Sequence, residues 1–226
     1  MKSSYFRIVV FIITALLMWA CSDNGKNANV TFSMKSDNNA LSKVSAADTV
    51  IVDTAKFLIS RLKLNSAGEN DSSDVKTGPF AIIINLVGAV TAVAAGNIPA
   101  GTYDRVKFEL HKADQNEDLP DPDFRTGPGG NERYSGIIIG RFNGVRFVYR
   151  VHSTINESMS INPPIVIADS VGTANVTLVV NPTLWFKNNG AYLDPNSSAN
   201  ESQIENSIKD SFKRAMKDHN KDGTED

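Results

Sequence analysis

The chain has 226 residues, of which 41% are hydrophobic and 21% are charged, an ordinary balance for one large globular domain or two small ones. Its formal net charge is -2, and it contains no long basic run. This argues against nucleic-acid binding, because that function needs a clustered positive surface. The acidic excess is too small to indicate a particular partner.

The first twenty residues differ in composition from the rest of the chain. Lys2 and Arg7 precede IVVFIITALLMWA, a run of 13 residues in which Thr14 is the only polar side chain. This run is short for a transmembrane helix and typical of the hydrophobic region of a signal peptide. The run ends at the small residue Ala20, and Cys21, the only cysteine, follows directly.

This arrangement resembles a bacterial lipoprotein signal, in which a peptidase cuts before the cysteine and the new N-terminus is acylated. Met18 and Trp19 stand where that family usually has a leucine and a small residue. The resemblance implies a signal peptide over 1–20, a lipidated tether over 21–29 and lipidation at Cys21. The expected location is the cell envelope, in the outer membrane of a Gram-negative bacterium. The alternatives are an ordinary buried cysteine or an uncleaved anchor.

From about residue 30 the apolar side chains recur with period two, which is typical of half-buried β-strands. The clearest pair is YSGIIIGRF and VRFVYRV, which Asn143-Gly144 joins in a predicted type I′ hairpin turn. The apolar run PFAIIINLVG predicts a central strand. Because no helical pattern separates the strands, we expect eight to ten mainly antiparallel strands. They predict one antiparallel β-sandwich over 30–186, Greek-key and immunoglobulin- or transthyretin-like.

The pattern changes over 187–226, where a period near four replaces the period of two. Ser198 and Glu201 fit a capping box, which marks a helix start. The apolar positions behind it predict one amphipathic helix over about 199–217 that packs on the sandwich: Ile204, Ile208, Phe212, Ala215 and Met216. Its stripe is expected to cover a sheet surface near Trp185 and Phe186.

Three stretches carry a resemblance to a known kind of protein: IPAGTYDRVKFELHK, INPPIVI with VTLVVNPTLWF, and ESQIENSIKDSFKRAMKDHNKDGTED. They are similar to segments of uncharacterised surface lipoproteins of Bacteroidetes type that have a transthyretin-like or carboxypeptidase-regulatory-like sandwich. The resemblance covers about 50–226. It implies an envelope sandwich domain without a known reaction, and it transfers no catalytic residue.

The segment DHNKDGTED follows the opening pattern of a calcium loop, in which oxygen side chains at alternate positions converge on one cation. The predicted ligands are Asp218, Asn220, Asp222, the Thr224 carbonyl and Asp226. The bidentate glutamate of a complete loop is missing, so we expect weak calcium binding with a structural role. A solvated terminal segment is the alternative.

A second acidic group lies in the loop KADQNEDLPDPDF. It is a weak candidate for binding another cation, or for supplying the missing ligand to the calcium ion of the terminal loop. Its members are Asp114, Glu117, Asp118, Asp121 and Asp123. Their spacing matches no known metal loop, and Pro120 and Pro122 favour an extended, solvated segment. His111, His152 and His219 lack the paired spacing of a zinc or copper site.

No catalytic motif appears in the sequence, since both G-x-S-x-G and a phosphate-binding loop are absent. The aromatic side chains are expected in the core rather than on a sugar-binding surface. The predicted function is therefore a non-catalytic binding or structural module of the envelope, with an envelope protein or glycan as partner. Two alternatives stay open: a glycan- or metal-binding lipoprotein of a surface uptake system, and an enzyme of unknown reaction.

Overall fold

The computed structural model describes residues 27–37, 49–67, 72–168 and 173–226. The strands are β1 (Asn27–Ser36), β2 (Val50–Ser66), β3 (Ser72–Ile83), β4 (Thr91–Pro99), β5 (Gly101–Leu110), β6 (Arg125–Thr126), β7 (Glu132–Arg133), β8 (Gly136–Phe142), β9 (Val145–Val151), β10 (Ile155–Ile167), β11 (Thr173–Val180), β12 (Lys187–Asn188), β13 (Ala191–Tyr192) and β14 (Phe212–Lys217). One α-helix, α1, spans Glu201–Asp210, and short 3-10 turns lie at Pro122–Phe124, Pro128–Gly130, Pro182–Leu184 and Ser198–Asn200. The predicted signal peptide and Cys21 lie outside the described residues.

Ten strands form one curled sheet in the order β4-β1-β11-β14-β10-β5-β2-β8-β9, with β3 paired to β2 beside this path. The pairs β1–β11 and β10–β14 are parallel, and the other pairs in the described part of the chain are antiparallel. The prediction of a mainly β chain with one helix is therefore confirmed. The sheet itself is mixed, because β14 and β1 enter it beside strands that run in the same direction.

The hairpin turn has the predicted form. β8 and β9 pair in register from Phe142 with Val145 to Gly136 with Val151. Asn143 and Gly144 have φ values of 50° and 82°, the left-handed conformations that a type I′ turn requires. Phe147 and Tyr149 on β9 face the large core, whereas Ile137 on the other face belongs to a second, smaller buried cluster with Leu58 and Phe124.

The apolar run in β3 does not form a central strand as predicted. β3 pairs with β2 alone among the described strands, and its side chains alternate between the two faces. Phe80 and Ile82 are buried, whereas Ile83 is 66% exposed. A Cβ at Gly96 on β4 would lie 2.5 Å from the Val75 carbonyl oxygen on β3, so glycine permits this close approach.

The predicted helix over 199–217 is wrong in its second half. Helix α1 ends at Asp210, and the next residues form β14, which pairs antiparallel with β11 and touches β10. The Trp185 indole N–H donates to Ser211 Oγ over 2.8 Å at this junction. The predicted apolar residues are buried, but in a strand, because backbone pairing with β11 outweighs the helical pattern.

The start of the helix also differs from the prediction. Ser198 lies in the preceding 3-10 turn and Asn200 is the N-cap, with no side-chain capping bond. The predicted capping box of Ser198 and Glu201 therefore does not form. The first turn is fixed instead from the sheet, where the Tyr149 hydroxyl donates to the Glu201 carbonyl over 3.2 Å.

One large core joins the sheet to the C-terminal segment. The Phe57 ring on β2 lies edge-on to Trp185 and to Phe212, with centroids 5.7 and 6.3 Å apart. Ile204 and Ile208 of α1 are fully buried in the same cluster. The apolar stripe of the helix therefore covers the sheet near Trp185, as the sequence predicts. This packing places residues 195–201 beside the hairpin and creates a cavity between them.

Candidate functional site

A cavity of about 530 Å³ lies between the hairpin, the segment before it and the approach to α1, and we call it the Arg150 pocket. Its volume lies in the range of small-molecule sites. Its lining is Lys112, Asn131, Glu132, Arg133, Tyr134, Val148, Tyr149, Arg150, His152, Pro195, Asn196, Ser197, Ser198 and Glu201. The lining is thus mostly polar, with three permanent cations and two carboxylates.

Arg150 is placed on the pocket wall by the alternation of β9, which sends Tyr149 and Val151 into the core and Arg150 to the other face. Its guanidinium carbon lies 5.2 Å from the centre of the Tyr134 ring, a cation–π distance. The Arg150 Nε atom is buried and has no hydrogen-bond partner among the described residues. A buried donor without a partner favours a ligand or a water molecule at this position.

A short hydrogen-bonded chain forms the neighbouring wall. Glu132 Oε2 accepts from the Tyr134 hydroxyl over 2.8 Å, and the Thr126 hydroxyl donates to the same oxygen over 3.0 Å. These two bonds hold the pKa of Glu132 below its usual value. Burial raises the pKa of the Tyr134 phenol. The wall therefore keeps a charged carboxylate and a protonated phenol at neutral pH.

His152 completes the wall at the end of β9. Its ring lies edge-on to Tyr134 with the centroids 5.1 Å apart, and its backbone N–H donates to Glu205 Oε1 over 2.6 Å. Tyr149 lies deeper, and burial raises the pKa of its phenol, with the charges of Glu205 and Glu201 adding to the effect. Both tyrosines act as hydrogen-bond donors rather than as proton acceptors.

The pocket combines positive charge with amide and hydroxyl groups. The cations Lys112, Arg133 and Arg150 attract an anionic group, and arginine matches the planar geometry of a carboxylate or phosphate. Asn196 and Ser197 offer groups that hydrogen-bond to ligand hydroxyls. This chemistry favours binding of a small polar anion.

The predicted calcium ligands lie in a loop whose first carboxylate is buried. Asp218 is 0% exposed, and its Oδ2 accepts from the Thr177 hydroxyl over 2.7 Å and from the Gly223 N–H over 3.1 Å. Its Oδ1 accepts from the Asp222 N–H over 3.1 Å. Gly223 has a φ of 81°, the sharp turn that the calcium motif predicts. The ammonium of Lys35 donates to the Gly223 carbonyl.

The other predicted ligands bond within the loop. Asn220 Oδ1 accepts from the Asp222 N–H over 3.1 Å, and Asp222 Oδ1 accepts from the Thr224 N–H over 2.7 Å. Asp226 Oδ2 accepts from the His219 N–H. The Thr224 hydroxyl, the Thr224 N–H and the Asn220 amide donate to the Asp222 carboxylate and lower its pKa, with the hydroxyl as the largest cause. The loop thus has the turns of the motif, and its calcium binding stays a prediction.

The second predicted acidic cluster separates into two groups. Asp121 and Asp123 both accept from the Lys56 ammonium on β2, over 2.6 and 2.7 Å, whereas the contacts of the terminal loop are to β1 and β11. No contact in the described residues joins Asp121 or Asp123 to the terminal loop. The prediction that one of them completes the calcium shell of that loop is therefore not supported by a contact. Asp118 is exposed.

Asp114 and Glu117 belong instead with His111 at the end of β5. Their ligand atoms lie within 4.8 Å of one another, and this is the one such group of three or more in the described ranges. Sequence spacing alone did not connect His111 with the acidic loop. The H-x-x-D-x-x-E spacing from 111 to 117 was visible, but only the turn after β5 brings the side chains together.

A buried polar network at the terminal loop was also missed. The Ser33 hydroxyl donates to Asn175 Oδ1 over 2.9 Å, and the Asn175 amide donates to the Thr177 hydroxyl over 3.0 Å and to the Asp218 carbonyl over 2.8 Å. All four residues are at most 1% exposed. Asn175 and Thr177 alternate along β11 with the core residue Val176, so the sequence pattern places them on the outer face, and the bonds to Asp218 show that the terminal loop covers that face.

No protein-family model matches the chain, and the comparison with curated proteins finds no match. Among solved structures, MbnP from Methylosinus trichosporium is similar, with 10% sequence identity over 76% of this chain and 81% of that chain. The TM-score is 0.47, a similarity too distant to support a functional argument. Within the described residues, no helix has the length and apolar character needed to cross a membrane.

Proposed function

We propose that this protein is a lipid-anchored, non-catalytic binding module of the cell envelope, and that the Arg150 pocket takes a small anionic sugar. The mainly β domain serves as a rigid support for the pocket. We infer further that its curled sheet packs as the two layers of a sandwich, with β1 and β11 in one layer and β2 and β5 in the other. The resemblance to surface lipoproteins with a sandwich domain agrees with this proposal.

The observation that carries the proposal is the buried, unpartnered Nε of Arg150 on the wall of the pocket. An arginine is seldom left with a buried donor unused, since an unmade bond costs about 1–3 kcal/mol. A ligand carboxylate or phosphate would satisfy this donor, and Arg133 and Lys112 would share its charge. The amide and hydroxyl groups of Asn196 and Ser197 would bind the sugar hydroxyls.

The charge of the ligand is limited by the two pocket carboxylates. Glu132 and Glu201 line the same cavity as the three cations, so the net charge of the lining is small and positive. A ligand with one anionic group and several hydroxyls therefore fits better than a polyanion. A uronic acid or a sugar monophosphate has this composition.

Calorimetry with the full-length protein in detergent tests the proposal. The probes are galacturonate, which carries one carboxylate, and its neutral counterpart galactose. We expect galacturonate to bind at least tenfold more tightly than galactose, and Arg150→Gln to remove this preference. Arg146→Gln is the matched control, because Arg146 lies on the same strand outside the pocket lining. Equal affinities for both sugars, or no binding of either, would refute an anionic-sugar site.

The lipid anchor has its own test. Cys21→Ala should move the protein from the membrane to the soluble fraction, because several acyl chains hold a protein firmly, at about 0.8 kcal/mol per buried methylene. Continued membrane association of the variant would contradict the anchor at Cys21. This result would leave the pocket proposal intact, since ligand binding is measured independently of the anchor.

A further inference from the structure

His111 lies at the centre of a group of carboxylates at the end of β5. Its Nε2 is 2.8 Å from Glu117 Oε2, and a ligand oxygen of Asp114 lies within 4.8 Å of both. Its Nδ1 is 3.4 Å from Glu109 Oε1 on the opposite side of the ring. Among the described residues, Glu109 and Glu117 form ion pairs with His111 alone. Two carboxylates thus share one imidazole, and a third lies close by.

The backbone around this group is fixed from several sides. The His111 N–H donates to the Leu58 carbonyl on β2 over 2.8 Å, and Arg125 donates to the Glu117 carbonyl. The Asp114 N–H donates to Glu117 Oε2 over 2.9 Å, which sets the direction of that carboxylate. The side chains of His111 and Glu117 are only 15% and 18% exposed, whereas Asp114 is exposed. The group is therefore ordered and open to solvent at one side.

We propose that His111 Nε2, Glu117 and Asp114 bind a divalent first-row transition metal ion of the zinc type. One imidazole nitrogen with two carboxylates is a ligand set that suits zinc, whereas calcium takes oxygen ligands alone. Three protein ligands leave a fourth tetrahedral position for water or an exchangeable ligand. The site is thus of the open kind rather than a closed structural one.

A carboxylate also lies on the far side of the ring. A histidine that binds a metal through one nitrogen usually donates its other N–H to a carboxylate, which fixes the ring and its tautomer. Glu109 Oε1 lies on that side at 3.4 Å from Nδ1, an ion-pair distance, and the Ser60 hydroxyl donates to the same oxygen over 2.8 Å. The contacts from Ser60 to Glu109 and from Glu109 to His111 therefore fix the imidazole ring with Nε2 towards Glu117 and the proposed cation.

Metal binding requires side-chain movements at two of the ligands. Ligand bonds of about 2.0–2.1 Å in a tetrahedral arrangement place two donor atoms about 3.3 Å apart. The distance between Nε2 and Glu117 Oε2 must therefore open by about 0.5 Å, and the exposed Asp114 carboxylate, now within 4.8 Å, must rotate to the same separation. A metal ligand must be unprotonated, so zinc competes with protons for these atoms and binds more weakly as the pH falls.

Zinc titration of the full-length protein in detergent tests this site, with excess calcium present to occupy the terminal loop. We expect one equivalent of zinc to bind, with heats that vary with the ionisation enthalpy of the buffer. Cobalt in place of zinc should give the visible absorption of a tetrahedral ion. His111→Asn and Glu117→Gln should each weaken binding at least tenfold, and Glu109→Gln should weaken it about 10–100-fold by releasing the ring.

Asp118→Asn is the matched control, because Asp118 is an exposed carboxylate of the same loop outside the group. It should bind zinc like the unmodified protein. If His111→Asn fails to fold, Glu117→Gln decides, because it keeps the size and the hydrogen-bonding capacity of the side chain. No zinc uptake, or equal uptake by Glu117→Gln and Asp118→Asn, would overturn the proposal. Loss of binding in Asp118→Asn alone would place the ion elsewhere in the loop.

Discussion

Two acidic regions of this molecule use their carboxylates in opposite ways. In the terminal loop, Asp218 is fully buried and its two oxygens accept from the Thr177 hydroxyl and from two backbone N–H groups. At the end of β5, Glu109 and Glu117 face the single imidazole of His111. In the first region neutral donors occupy both oxygens of one carboxylate, whereas in the second region two carboxylates share one imidazole, with one further donor each.

This difference shows that spacing alone does not identify a cation site. The turn that a calcium loop uses to aim its oxygens inward also lets backbone N–H groups satisfy those oxygens. The terminal loop matches the motif in sequence, and protein donors reach both oxygens of its buried carboxylate. The acidic loop matches no motif, yet it brings one nitrogen and two carboxylates together. What distinguishes the regions is the kind of partner that each carboxylate has: a hydroxyl and backbone N–H groups in the first, and a shared imidazole in the second.

The largest effect is expected when the buried carboxylate is removed. Asp218→Ala leaves the Thr177 hydroxyl and two backbone N–H groups without their acceptor inside the protein, at a cost of about 3 kcal/mol in the free energy of unfolding. Urea denaturation measures this loss. Glu225→Ala is the control, because its 3.5 Å pair with Arg214 is exposed and contributes less than about 1 kcal/mol. Similar losses in both variants would mean that the terminal loop is not part of the core.

Much of the fold could be predicted from the sequence because the strands carry their own local signals. The period of two and the Asn143-Gly144 turn fixed the hairpin correctly. The strand β14 could not be read in this way, since FKRAMK continues the helical spacing of Ile204 and Ile208. Its conformation depends on the open edge of β11, which is distant in sequence. Long-range pairing of this kind overrides local propensity.

The sites were predictable to a smaller degree, because their residues come from separate strands. Arg150 was visible only as one polar position of an alternating strand, and its cavity exists because α1 brings residues 195–201 beside it. Glu109, His111 and Glu117 are close in the sequence, but Ser60 joins them only through the pairing of β2 with β5. The sequence thus shows the chemistry of each residue, but it does not show which residues the fold places beside it.

Calcium binding by the terminal loop is expected to have the next largest effect on stability. If the terminal loop also binds calcium, tenfold excess over the dissociation constant should raise the free energy of unfolding by about 1.4 kcal/mol. An extracellular-type site would need millimolar calcium for this. Asp222→Ala should abolish the rise in melting temperature, whereas Asp123→Ala, outside the loop, should retain it. An unchanged melting temperature in millimolar calcium would assign the loop to hydrogen bonding alone.

A smaller effect is expected at Lys56, where the acidic loop does meet a cation. Burial disfavours the charged form of Asp121, but the Lys56 ammonium and the Asp123 N–H outweigh burial and lower the pKa of Asp121. A lowered pKa stabilises the fold above the unfolded value of 3.8, and this contribution is lost as the pH falls through the folded value.

Asp121→Asn should therefore cost about 0.5–1 kcal/mol at pH 7, the range of partly exposed ion pairs. The difference from the unmodified protein should shrink as the pH falls below 3.8 and disappear only below the lowered folded pKa of Asp121, where both forms are neutral at this position. Melting curves across pH measure it, with Asp118→Asn as an exposed control in the same loop. A cost that persists at low pH would assign the effect to packing rather than to charge.

The smallest effect is expected at Glu157 on β10. In the described residues this carboxylate has neither the hydrogen-bond donors of Asp218 nor an ion pair like that of Asp121. Its Oε1 is buried and has no hydrogen-bond partner among the described residues. Burial raises its pKa, and although Lys209 opposes this, the nearby Asp210 adds to it. A raised carboxyl pKa costs stability as the pH rises above the unfolded value of 4.5. Glu157→Gln should therefore stabilise the protein by about 0.5 kcal/mol at pH 7, and the gain should vanish near pH 4. A loss of stability at neutral pH would mean that the charge of Glu157 is favourable, most simply through Lys209.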